Sequence, residues 1–185
     1  MADRRGSKVR RARRIFLAAA FSVPAITAAQ GQGGALEQAI KATYLVKFSS
    51  FITWPDKTFS SPTSPLVICI AGADPYGAAL DQAASGQAVG QHPVEIHRIA
   101  AGAPPAGCQI LFAGEAALTT LDAAARSPVL TITDQPASSS RKGIINFVVQ
   151  DNHVRFEIDN RAAVDEGLQV SSQLLTLAVG DRARQ

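Results

Sequence analysis

The stretch PLVICIAGADPYGAAL, residues 65–80, decides the fold. Its residues 66–70 form an unbroken apolar run rich in β-branched side chains, bounded by Pro65 before it and by Gly72 and Pro75 after it. A short apolar run between turn residues reads as a strand buried on both faces. The turn that follows carries Asp74, able to cap a helix, and Pro75, whose fixed φ suits a first helical turn, so a helix is expected over about residues 75–84. Cys69 sits inside the strand. Cys108, the other cysteine, opens a second apolar run that ends at Phe112.

Outward from this β-turn-α unit the pattern repeats. Val94 and Ile96 alternate with Glu95 and His97, which predicts a half-exposed strand as far as Ile99. Residues 109–112 read as the second buried strand, 115–125 as a short helix and 129–133 as a further β-rich run ending at Asp134. Two such β-α-β passages argue a largely parallel sheet with helices on its faces. Residues 144–150 and 153–158 flank Asp151-Asn152, two residues that tolerate left-handed geometry, and so predict a β-hairpin. Asp159-Asn160 can cap a last helix carrying Ala163, Leu168, Leu174, Leu175 and Ala178, with Gly167 as a point of interruption. The fold class expected is single-domain α/β: a mixed, largely parallel sheet flanked by helices, with a C-terminal β-hairpin and last helix.

Upstream, Leu36, Ile40, Tyr44, Phe48 and Phe51 recur at spacings of three or four, the signature of one apolar helical face, with Lys41 and Lys47 off that face. This helix must stop near Thr53, because the residue before Pro55 is pushed out of the α region. Trp54 is thereby pinned just past a helix end, either as a lid on the core or as an aromatic anchor for a partner.

The totals of 185 residues, 46% hydrophobic and 18% charged, describe one globular domain and exclude a disordered chain. The formal charge of +3 is concentrated at one end: residues 1–29 hold seven of the eighteen basic residues and one of the fifteen acids, so the remainder is mildly acidic. That removes the argument for a nucleic-acid partner. The basic block is followed by the apolar run IFLAAAFSV, residues 15–23, and by small residues to Ala29. These are the three parts of a secretory signal peptide, and the run is too short for a transmembrane span. Arg13-Arg14-Ile15-Phe16-Leu17 is also similar to a twin-arginine signal, so either export route is open. The expected layout is a signal peptide over 1–29, a flexible Gly/Gln spacer over 30–35, the α/β domain over 36–180 and a frayed tail over 181–185. Export places Cys69 and Cys108 in an oxidising compartment, where an even pair reads as a structural disulfide; a redox switch or a metal pair are the alternatives.

Catalytic and cofactor signatures are not found. Gly72 and Gly77 have P-loop spacing, but Ala78 and Ala79 stand where Lys and Ser/Thr would bind phosphate and magnesium. There is no G-x-S-x-G nucleophile elbow. His92, His97 and His153 fall in no metal-binding frame, and Glu157 and Asp159 share a strand face as solvated charges rather than as an acid pair. No catalytic residue, metal or cofactor is expected.

Several segments taken together resemble the YfiR family of bacterial periplasmic proteins: KATYLVKFSSFITWP (41–55), LVICIAGADPYG (66–77), CQILF (108–112), VLTITD (129–134), GIINF (143–147), FEIDN (156–160) and GLQVSSQLLTLA (167–178). The resemblance covers nearly the whole mature chain. It implies a periplasmic regulator rather than a catalyst, one that binds the periplasmic sensory portion of an inner-membrane diguanylate cyclase and holds cyclic-di-GMP output low. An outer-membrane lipoprotein partner would relieve that repression, and a homodimer is left open. Cys69 and Cys108 match the family's structural disulfide. A second cysteine pair found in some members is missing, and Lys142-Gly143 stands where the family has Gly-Gly. Within this reading the partner-binding residues expected are Phe51, Ile52 and Trp54 as exposed apolar contacts, and Arg155, Glu157 and Asn160 as polar ones. The competing expectation is a periplasmic small-molecule-binding module, with its ligand at the carboxyl ends of the strands near Gly72, Tyr76 and Asp134.

Overall fold

The chain enters the fold through helix α1 (Gln30–Phe48), which tightens into a 3-10 turn at Ser49–Phe51 and then extends as strand β1 (Ile52–Thr53). The computed structural model describes residues 30–181. The expected signal peptide and residues 182–185 lie outside the described residues. The helix begins at Gln30, through the stretch expected to be a spacer, because adding turns to an existing helix costs far less than nucleating one. The helical segment ends at Phe51, short of the expected Thr53, and the chain is already extended from Ile52.

Strand β2 (Leu66–Ala71) is buried at every position. Leu66, Ile68 and Ile70 point into the larger core, whereas Val67, Cys69 and Ala71 point into a second cluster on the opposite face. That two-sided burial is why the run lacks alternation. Helix α2 (Ala78–Ala84) starts three residues later than expected. Asp74 does not cap it: its Oδ1 instead accepts the N–H groups of Tyr76 and Gly77 at 2.8 and 3.1 Å, which closes a side-chain turn around Pro75 and leaves Gly77 as the N-cap at a φ of +50°.

Next come β3 (Ala88–Val89), a short edge strand the pattern did not reveal, and β4 (His92–Ile99), whose exposure alternates as its sequence does. Strand β5 (Ile110–Ala113), helix α3 (Thr119–Ala124) and strand β6 (Leu130–Thr133) complete the second passage. Strands β7 (Ile145–Gln150) and β8 (His153–Ile158) form the hairpin in the expected register, with Gln150 opposite His153 and both turn residues at positive φ.

The expected last helix is two helices. Asp159 caps α4 (Asn160–Asp165) by accepting the Ala162 N–H at 2.9 Å, and Gly167, at a φ of +79°, ends the helix in left-handed geometry. Strand β9 (Gln169–Val170) then pairs antiparallel with β1, and Ser171 caps α5 (Ser172–Leu177). Strand β10 (Gly180–Asp181) runs parallel to β8, so the expected frayed tail is paired as far as Asp181. The described residues form one sheet in the order β10-β8-β7-β6-β5-β2-β4-β3 and a small one of β1 and β9. Within the large sheet, strands β4, β2, β5, β6 and β7 are mutually parallel, and β3 and β8 join it by antiparallel pairing.

Cys69 and Cys108 form a disulfide across a separation of 39 residues, with Cα atoms 5.8 Å apart, and both cysteines are buried. Closing a loop of that length stabilises the fold by about 4 kcal/mol in the chain-entropy account. No helix of the described residues is long and apolar enough to cross a membrane.

Between β6 and β7 the chain returns without a helix. Asn146, fully buried, clamps the loop by accepting from Thr133 Oγ1 and the Gln135 N–H and donating to the Gln135 carbonyl. The hydroxyls of Thr133 and Thr131 accept the N–H groups of Gly143 and Ile144. Gly143 lies so close to β6 that a Cβ there would stand 2.6 Å from the Thr131 carbonyl oxygen. Of the Lys142-Gly143 pair, the second position is therefore the one that cannot carry a side chain, while Lys142 uses its own to reach Glu157 at 3.3 Å. Gly143→Ala should lower the stability of the protein by about 2 kcal/mol, the range for overpacking against a backbone that cannot yield. Lys142→Gly should cost less than half as much. Urea denaturation midpoints of the two variants check this.

Candidate functional site

Helix α1 is where sequence and structure part. Its buried side chains are Lys41, Ala42, Leu45, Val46 and Phe48. Leu36 and Ile40, expected in the core, are 64% and 38% exposed, and Tyr44 lies at the boundary, half-buried. Tyr44 and Phe48 pack on the hairpin, with Phe48 and Phe156 edge to face at 5.1 Å and Tyr44 and Phe156 at 5.8 Å. The helix has two apolar stripes, and the one built from Ala42, Leu45 and Val46 is buried in the core.

The reason is Lys41. Its side chain is 2% exposed, and its ammonium donates to Glu37 Oε1 at 2.5 Å, one turn back, and to Asp134 Oδ2 at 2.6 Å, at the carboxyl end of β6. Burial alone would lower the Lys41 pKa, but the hydrogen bonds and charges of Asp134 and Glu37 outweigh that and raise it above the ordinary value. The charged form is thus the buried form. Lys41 was expected off the apolar face; it is instead the residue that fixes which face is buried.

The outcome is an open cleft of about 460 Å³ between the first turns of α1 and the tip of the hairpin. Leu36, Ile40 and Tyr44 line one wall, Val149 and Val154 the other, with Glu37 on the helix side and Arg155 on the hairpin side. Val149 is 51% exposed.

The expected partner residues are not gathered in one place. Arg155 lines the cleft. Phe51 is half-buried, Ile52 is buried in the β1–β9 pairing, and Trp54 is buried with its ring edge-on to Phe59 at 6.4 Å. These three sit beyond the far end of α1, about 18 Å of helix separating Leu36 from Phe48 at 1.5 Å per residue. Glu157 is paired with Lys142, and Asn160 is the first residue of α4. Glu157 and Asp159 have separate structural tasks, ion pair and helix cap. His92 stacks on Phe59 at 3.8 Å, His97 lies 3.5 Å from Glu95 and His153 Nδ1 lies 2.7 Å from the Asp151 carbonyl. Among the described residues no cluster of His, Cys, Asp and Glu could hold a metal ion.

At the carboxyl ends of the strands the charged groups engage one another, whereas the buried Tyr76 hydroxyl has no partner among the described residues. Asp134 takes Lys41, and Arg98 Nε donates to Asp74 Oδ2 at 2.8 Å while its other arm reaches Asp81. Burial would raise the Asp74 pKa, but the two backbone N–H groups and Arg98 hold it below the usual carboxylate value. Tyr76 is buried against Phe112, and burial followed by the nearby charges of Asp134, Asp74 and Glu37 pushes its phenol up.

The fold and this geometry define a disulfide-stapled α/β domain that pairs Lys41, Asp134, Arg98 and Asp74 internally and leaves an apolar cleft open. The sequence matches the profile of the YfiR/HmsC-like family over residues 38–179, which is most of the chain, and the protein belongs to that family. No curated protein matches the sequence.

Two outcomes follow for the ionisable groups. Lys41→Ala should destabilise by about 3 kcal/mol, because it leaves two facing carboxylates and a cavity; Lys41→Met leaves the same carboxylates facing but fills the volume, so it should cost less only by the cavity's share. Because the folded pKa of Lys41 is raised, its contribution is complete below 10.5 and is lost only as pH rises through the higher folded value. The gap between wild type and Lys41→Met in urea midpoint should therefore be flat from pH 6 to 9. Glu166 behaves differently. Its Oε2 is buried with no partner among the described residues, and burial raises its carboxyl to about 7 from 4.5. Stability from this group is complete below 4.5 and falls as pH rises through 7, so Glu166→Gln should raise the Tm at pH 8 and leave it unchanged at pH 4.5. Thermal melts at the two pH values read the difference.

Proposed function

We propose that this protein is a periplasmic regulator that acts by binding: it holds the periplasmic sensory portion of an inner-membrane diguanylate cyclase in a low-output state and so lowers cyclic-di-GMP. Membership of the YfiR/HmsC-like family carries this reading. The disulfide fits an oxidising compartment, and the charged first segment with its apolar run fits export. An open apolar cleft beside internally paired charges suits a binding protein better than a catalyst.

Repression across a membrane needs only differential affinity. A protein that binds the inactive state of the cyclase more tightly shifts the population toward it, by no more than that difference in affinity. An outer-membrane lipoprotein that sequesters the regulator would reverse the shift by mass action.

The test is a measurement of cellular cyclic-di-GMP. Deleting the gene should raise it several-fold, and restoring the full chain should bring it down. A chain lacking residues 1–29, retained in the cytoplasm, should not. Unchanged cyclic-di-GMP in all three strains overturns the proposal.

A further inference from the structure

Six large apolar side chains among the described residues are exposed: Leu36, Ile40, Val149, Val164, Leu177 and Val179. Three of them, Leu36, Ile40 and Val149, line one cleft. Isolated exposed apolar residues need no explanation, but convergence on a concave surface does. We infer that the cleft between the first turns of α1 and the hairpin tip is a docking groove for an amphipathic helix of a protein partner, and that this groove, rather than the Phe51-Ile52-Trp54 segment, is the protein's partner surface. The inference rests on the reading that the protein acts by binding another protein.

The layering of the fold argues for a helix. α1 crosses the middle of the hairpin, where Tyr44 and Phe48 meet Phe147 and Phe156. The C-terminal helices join the same core through Ala163 and Leu174, together with Ile158 at the other end of β8. At the tip, the exposed Val149 and the partly buried Val154 face Leu36, Ile40 and Tyr44 of α1 across the open cleft. A helix is about 10 Å across and strands are about 4.8 Å apart, so one helix covers two strands, which is the width of the bare hairpin tip. Leu36, Ile40 and Tyr44 stand at one-turn intervals along α1, a ridge that accepts a helix carrying its own apolar residues at i and i+4.

Charge gives the occupant its character. The helix wall carries Glu37, with Asp134 behind it across Lys41, so two carboxylates share one ammonium and the wall is net acidic. The hairpin wall carries Arg155, exposed. The complementary helix has Lys or Arg beside its apolar stripe on the side nearer α1, and Asp or Glu on the side nearer the hairpin. Held so, the partner helix bridges two elements of this domain, and its apolar stripe supplies the cover that the hairpin tip lacks.

The experiment places the photo-crosslinking residue p-benzoylphenylalanine at position 36 or 149 of the full chain in living cells, with position 177, equally exposed and away from the cleft, as control. Crosslinks from 36 and 149, but not from 177, to one amphipathic helix bearing a base and an acid on opposite flanks are expected. Crosslinks from 36 and 149 only to a second copy of this chain, or to no protein, overturn the inference. In parallel, Leu36→Asp and Val149→Asp should each abolish most of the lowering of cyclic-di-GMP, while Leu177→Asp and Val164→Asp preserve it. If the cleft variants lower cyclic-di-GMP as well as wild type, the groove is wrong although the regulatory reading stands. If positions 36 and 149 capture such a helix in a protein that is not a cyclase and cyclic-di-GMP never responds, the groove stands and the regulatory reading falls.

Discussion

The ammonium of Lys41, buried between Glu37 and Asp134, sets the roll of α1 about its own axis. A charge removed from water is tolerable only when its partners are in place, and the second carboxylate is supplied by the carboxyl end of β6. A roll that turned Lys41 outward would hydrate its ammonium but would take from Asp134 the cation it is paired with. With Lys41 inward, Ala42, Leu45 and Val46 are buried in the core, and Leu36 and Ile40 are turned to solvent. The outward stripe is thus a by-product of an inward charge, and the cleft with its apolar walls exists because of it. Buried ion pairs contribute little net stability compared with apolar replacements; here the pair selects an orientation.

This also explains what could be read from the residues and what could not. The buried strand β2 and the hairpin were legible because their signals are local: a short apolar run between turn formers, and Asp151-Asn152 between two β-rich segments. The disulfide was legible from the expected export and an even cysteine count. The active face of α1 was not. Both of its stripes have helical period, and choosing between them requires knowing that Asp134, 93 residues away, waits for Lys41. The one available signal was the second stripe itself, Ala42-Leu45-Val46, running beside a lysine. The late start of α2 has a comparable cause, since the Asp74 carboxylate that reads as a helix cap closes a turn instead and is held there by Arg98. Splitting of the last helix was half-visible in Gly167, but strand β9 exists only because β1 is there to pair with it.

The expected partner residues divide along the same line. Trp54 and Ile52 look like anchors in sequence because they are large, apolar and next to a proline. In the fold they are buried in the core where the two ends of the domain meet, through the pairing of Ile52 with Val170. Arg155 is the expected residue that borders the open cleft, next to Val154 on β8.

The small β1–β9 sheet carries a consequence for how the molecule is assembled in time. Ile52 pairs with Val170, so the ladder that closes the domain cannot form until nearly the whole chain has been delivered. Contacts so distant in sequence are slow, because the intervening loop must close before they contribute. Meanwhile α1 emerges first, with apolar residues on both of its stripes and a lysine whose second counter-ion has yet to arrive. During that interval the helix is sticky around most of its circumference, and a chaperone that shields it until β6 has been made would govern the yield of folded protein more than any feature of the finished core.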